Sequence, residues 1–114
     1  MAVLHANYLV ARESGQGAVS YTFAPGVPFE INAVKFHIPN GNGGVSENFT
    51  ITADSPNGWK YDTLYLSQDM LTTQHIVWIP DQPIPFQSDE IIVIEYANTN
   101  NYFYGLEIFY RETD

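Results

Sequence analysis

What most constrains this chain is the rhythm of its apolar residues. They alternate with polar ones in short runs, and turn-forming residues interrupt the runs about every ten positions. Val19, Tyr21 and Phe23 alternate with Ser20 and Thr22. Val34, Phe36 and Ile38 alternate with Lys35 and His37, and Phe49, Ile51 and Ala53 with Thr50 and Thr52. Successive strand side chains point to opposite faces, so each run reads as a half-buried β-strand. Near the start, Leu4, Ala6, Tyr8 and Val10 share one parity, with His5 and Asn7 between them.

Three further runs, residues 61–66, 74–79 and 90–96, carry apolar side chains on both parities, which predicts more central strands. A last strand is expected over residues 102–111, with Leu106, Ile108 and Tyr110 on one face. The interruptions are Ser14-Gly15-Gln16-Gly17, Ala24-Pro25-Gly26-Val27-Pro28 and Pro39-Asn40-Gly41-Asn42-Gly43-Gly44. They continue with Ser55-Pro56-Asn57-Gly58, Pro80-Asp81-Gln82-Pro83 and Asn98-Thr99-Asn100-Asn101. All are turn or loop compositions. The best helical fragment, residues 67–71, amounts to one turn. About eight short strands at such spacing fit an antiparallel two-sheet sandwich or a barrel, not a parallel α/β fold.

Length supports one domain over residues 1–114, with enough chain to build a core without staples. Thirteen acidic residues against four basic ones give a formal charge of -9. Nucleic-acid affinity rests largely on Lys and Arg displacing counterions, so a nucleic-acid partner is not expected. Polybasic attachment to an anionic membrane is disfavoured for the same reason. The longest strongly apolar run, Ile91-Ile92-Val93-Ile94, falls far short of a membrane span. Cysteine is absent, which removes disulfides, thiolate nucleophiles and cysteine-based metal sites. Residues 1–8 carry no basic segment followed by an apolar one, so synthesis in the cytoplasm without a leader is expected.

No catalytic constellation emerges. His5, His37 and His75 sit on three separate runs without a short paired spacing, and His5 and His37 are expected to face solvent. No metal site or cofactor is therefore expected. Asp89 with Glu90, or Glu95 with Glu107, are candidate carboxylate neighbours, but nothing places two carboxylates across a cleft. The calcium-loop pattern of alternating Asp and Asn before a Gly is missing. Ser14 and Ser67 lack the nucleophile elbow, and Gly41-Asn42-Gly43-Gly44 has no following Lys or helix to make a phosphate cradle. The chain is expected not to be an enzyme.

Aromatic residues are the most distinctive feature: eight Tyr, seven Phe and two Trp. Trp59-Lys60-Tyr61 and Tyr102-Phe103-Tyr104 fall near loops and strand ends. Trp59, Tyr61, Tyr102 and Tyr104 are thus the interaction candidates, able to stack on sugars or to anchor a protein interface. They serve equally as lids on the ends of a small sandwich, since strands favour aromatics anyway.

Residues 31–111 resemble small phage and prophage virion proteins, the accessory proteins that decorate or cement capsids. The resemblance is carried by Ser46-Glu47-Asn48-Phe49-Thr50-Ile51-Thr52 and Gly58-Trp59-Lys60-Tyr61-Asp62-Thr63-Leu64-Tyr65-Leu66. It continues through Val77-Trp78-Ile79-Pro80-Asp81, Ser88-Asp89-Glu90-Ile91-Ile92-Val93, Tyr96-Ala97-Asn98 and Tyr104-Gly105-Leu106. These are structural turns and aromatics, not a catalytic signature. Many such proteins lace neighbours together with an extended terminal arm, and neither end of this sequence reads as one.

The resemblance implies a jelly-roll-like β-sandwich that is a non-enzymatic virion structural protein, made in the host cytoplasm. Its expected partner is the major capsid protein or another virion protein, with self-association, as a trimer, at lattice axes. An acidic surface suits basic patches on such a lattice. The alternative is a carbohydrate-binding or host-adhesion module that takes a glycan on its loop aromatics.

Overall fold

The computed structural model describes residues 9–113. The strand reading over Leu4 to Tyr8, with His5, lies outside the described residues. Among the described residues nine strands form: β1 (Leu9–Gln16), β2 (Val19–Phe23), β3 (Phe29–His37), β4 (Asn48–Asp54), β5 (Thr63–Asp69), β6 (His75–Trp78), β7 (Ile84–Phe86), β8 (Ile91–Tyr96) and β9 (Phe103–Glu112). One sheet has the order β1-β9-β3-β6, with β7 also on β3; the other has the order β2-β8-β4-β5. Every pairing is antiparallel. The chain passes from sheet to sheet at nearly every connection, which is the interleaved Greek-key path of a jelly roll. Of the two all-β folds that the alternation allowed, sandwich and barrel, the antiparallel sandwich is the fold.

β6 and β7 together fill one strand position. His75–Trp78 pairs with the second half of β3 and Ile84–Phe86 with the first. Pro80 and Pro83 between them lack the N–H that an unbroken ladder needs. Nine strands thus occupy eight positions.

Parity decides what is buried. Phe29, Ile31, Val34 and Phe36 of β3 meet Phe49 and Ile51 of β4, Ile92, Ile94 and Tyr96 of β8, and Leu106 and Ile108 of β9. Phe36 stands at the centre, stacked on Phe49 of the opposite sheet at 4.5 Å between ring centroids and flanked by Tyr96 and Tyr104. A second aromatic group, Phe23, Phe29, Phe86 and Tyr110, fills the core near the β2–β3 loop.

Three sequence expectations need correction. β5 and β6 are edge strands, and of the three runs with two apolar faces only β8 is interior. Leu64, Val77 and Ile79, which suggested burial on both faces, are exposed. Ser14–Gln16 belongs to β1, because its ladder with β9 runs on to Gln16–Phe103. Gly15 earns its place there: an added Cβ would lie 3.2 Å from the Tyr104 hydroxyl. Finally, residues 59–61 form a turn of 3-10 helix, so β5 starts later than expected.

Candidate interaction surface

Strand directions sort the loops to two ends of the sandwich. The β2–β3, β4–β5 and β7–β8 connections share one end; the β1–β2, β3–β4, β5–β6 and β8–β9 connections share the other. The four candidate aromatics are split between these ends and do not form one site.

Trp59 and Tyr61 sit in the β4–β5 loop, and they are the most exposed large hydrophobic side chains there, at 78% and 67%. The loop beneath them is braced by its own polar groups. Ser55 N–H donates to the Asp62 carboxylate at 2.9 Å, and Asn57 N–H donates to Ser55 Oγ at 3.1 Å. Tyr61 N–H donates to the Gly58 carbonyl and Asp62 N–H to the Trp59 carbonyl, closing the 3-10 turn. Gly58 enters that turn at φ 114°, a conformation that favours glycine. Lys60 Nζ lies 5.9 Å from the Trp59 ring centroid. Leu64, also exposed, follows at the start of the β5 edge. Rigid, exposed aromatics of this kind lose little conformational entropy on binding and make strong contact anchors.

Tyr102 and Tyr104 are placed differently. Tyr104 is 9% exposed and packs on Phe36, so it presents no stacking face and is corrected from contact candidate to core residue. Burial first, then the nearby Glu13 charge, pushes its phenol above the ordinary range. Tyr102 is half-buried against the core, and its carbonyl accepts hydrogen bonds from Gly17 N–H and Asn98 Nδ2. It ties loops together.

The outward face of the five-stranded sheet holds an open hollow of about 470 Å³. Its floor is Gly105 of β9, which lies in register between Ser14 of β1 and His37 of β3, with His75 of β6 beyond. The next row is Arg12, Glu107, Lys35 and Val77. Three of the chain's four Lys and Arg residues occupy this face, and each is engaged. Arg12 Nε pairs with Glu107 at 2.7 Å, Arg111 Nη2 pairs with Glu30 at 2.7 Å, and Lys35 lies 5.0 Å over the Phe109 ring. Sequence reasoning missed this hollow. The sequence did carry one sign of it, a glycine at an outward parity within a long strand.

The acidic pairs do not gather. Glu95 points outward from β8 beside Ser20 and Thr50, while Glu107 points outward from the other sheet. Glu90 accepts a hydrogen bond from Gln87 N–H and so closes the 87–90 turn. Asp69, at the end of β5, sits below the usual carboxylate range because Ser46 Oγ and Leu71 N–H donate to it. Among the described residues, no three His, Cys, Asp or Glu side chains are grouped to hold a metal ion, and no helix is long and apolar enough to cross a membrane.

These features define a small jelly-roll sandwich with a braced aromatic loop at one end. No family model and no curated protein matches the sequence. Among solved structures, the chain is similar to the nucleoplasmin-like N-terminal domain of Drosophila FKBP39. The TM-score is 0.52 at 11% identity, over 98% of this chain and 97% of that one. At that identity the similarity concerns the fold alone.

Proposed function

We propose that the chain is a non-enzymatic structural protein of a phage virion, a capsid decoration or cement module that binds the major capsid protein. The observation that carries the docking mode is the braced β4–β5 loop, which holds Trp59 and Tyr61 outward. Exposed aromatics on a hydrogen-bonded turn cost solubility and gain nothing for the core, which favours a partner that covers them. The sequence resemblance supplies the class of partner. Self-association as a trimer at lattice axes would multiply weak contacts of this size.

Co-sedimentation with purified particles tests the proposal. The chain is expected to travel with particles, and its deletion to lower their resistance to heat. A chain that stays in the supernatant contradicts it.

A second reading rests on the same two rings: stacked on sugars, they would make this a host-adhesion module. That reading requires hits on a glycan array that Trp59→Ala removes.

A further inference from the structure

His37 of β3 and His75 of β6 are direct cross-strand partners. Ile38 N–H donates to the Gln74 carbonyl at 2.9 Å, which marks the next pair along as hydrogen-bonded. His37 and His75 therefore form a non-hydrogen-bonded pair, the kind in which opposed side chains stand closest. Their ring centroids are 5.8 Å apart and their planes are inclined at 41°. Both side chains are exposed.

The neighbouring register position is Gly105, where an added Cβ would meet nothing within 4 Å. Glycine thus leaves the position beside His37 without a side chain. Zinc–imidazole bonds of about 2.0–2.1 Å at a tetrahedral angle put two ring centres roughly 5 Å apart. A small change in the two side-chain torsions, closing the rings by less than about 1 Å, reaches that spacing.

We propose that His37 and His75 form a two-histidine chelate for a divalent transition cation, Zn2+, Ni2+ or Cu2+. The donors select this class. Imidazole suits these borderline ions, whereas Ca2+ and Mg2+ require several oxygen ligands. Among the described residues no carboxylate stands in the histidine row, and Glu107 in the next row is held by Arg12. Among the described residues these two are the ligands the row supplies, so the remaining positions go to water or to groups of a molecule docked on this face. The inference is independent of the aromatic loop and stands whether or not that loop binds a capsid.

The test is calorimetric titration of the untagged full chain with Ni2+, alongside NMR of its imidazole C–H groups with Zn2+. The expected result is one ion per chain, with the His37 and His75 signals shifting together. His37→Asn and His75→Asn should each weaken binding at least about tenfold, because each removes one of two metal–ligand bonds. His5→Asn should leave it unchanged. Shifts confined to His5, undiminished binding by His75→Asn, or no binding at millimolar ion would overturn the proposal. Because the NMR arm uses the unaltered chain, it holds even if a variant folds poorly.

Discussion

Asn98 Nδ2 donates to the Gly17 carbonyl at 2.8 Å, joining two loops 81 residues apart in the chain. The same amide donates to the Tyr102 carbonyl at 2.9 Å, and its oxygen accepts from Tyr102 N–H at 3.2 Å. Asn98 is 2% exposed and adopts φ 50°, a backbone conformation that asparagine tolerates better than most residues. Three hydrogen bonds and a turn thus depend on one buried side chain.

Asn98→Ala should therefore lower stability by about 2–4 kcal/mol, since it strands buried backbone groups and adds left-handed strain. Urea denaturation measures this as a lower midpoint with an unchanged slope. A loss within about 0.5 kcal/mol, the size of an ordinary surface substitution, would show that the loops at this end do not depend on it.

Phe36 tests the core. Its ring bridges the sheets through Phe49 and touches Tyr96 and Tyr104. Phe36→Ala should cost about 3–5 kcal/mol, from lost burial and the cavity left behind. Thermal unfolding followed by circular dichroism reads the change.

Gly43 and Tyr96 form a close contact of another kind. A Cβ on Gly43 would fall 2.5 Å from the Tyr96 hydroxyl and 2.7 Å from the Met70 carbonyl oxygen. That hydroxyl is buried without a hydrogen-bond partner among the described residues. Tyr96→Phe should be neutral or stabilising by up to about 1 kcal/mol. Gly43→Ala should destabilise by at least about 1 kcal/mol, because overpacking forces the neighbours to move. In the double variant the penalty should shrink but persist, since the Met70 contact remains. Chemical denaturation of the three variants measures the cycle.

Titration should weaken the fold from both directions. Burial is the main cause that raises the phenols of Tyr21, Tyr65, Tyr96 and Tyr104, with nearby acidic charges adding to it. A raised folded-state value means their stabilisation is complete below the unfolded tyrosine range. It is lost as pH rises through the folded values, above about pH 10. Asp69 runs the other way: Ser46 Oγ and Leu71 N–H hold it low, so its contribution is present above the unfolded value and fades as acid reaches the folded one. NMR titration should find the Asp69 midpoint below the ordinary range, and Ser46→Ala should move it upward.

Much of the fold was legible because burial follows parity. Val19, Phe23, Phe36, Phe49, Ile51, Leu106 and Ile108 were on the apolar side of their runs and are core residues. The same parity carried the true place of Tyr104, two residues before Leu106 on the inward side, although its position near a loop argued for exposure. Apolar residues on both faces proved ambiguous. In β8 they mark an interior strand, and in β5 and β6 they mark edges whose outer residues Leu64 and Val77 are left uncovered. The sequence cannot show which, because edge position depends on strand order. The His37–His75 pair was hidden for a similar reason. Local spacing says nothing of a register between strands so far apart in the chain.

Trp59 gives the most direct test of the docking role. Trp59→Ala removes a side chain that supports no core contact, so stability should stay within about 0.5 kcal/mol. The decisive measurement is co-sedimentation of this variant with purified particles, beside the unaltered chain. The expected result is a folded variant that stays in the supernatant while the unaltered chain pellets with particles. A variant that pellets as well as the unaltered chain would contradict the proposed docking loop.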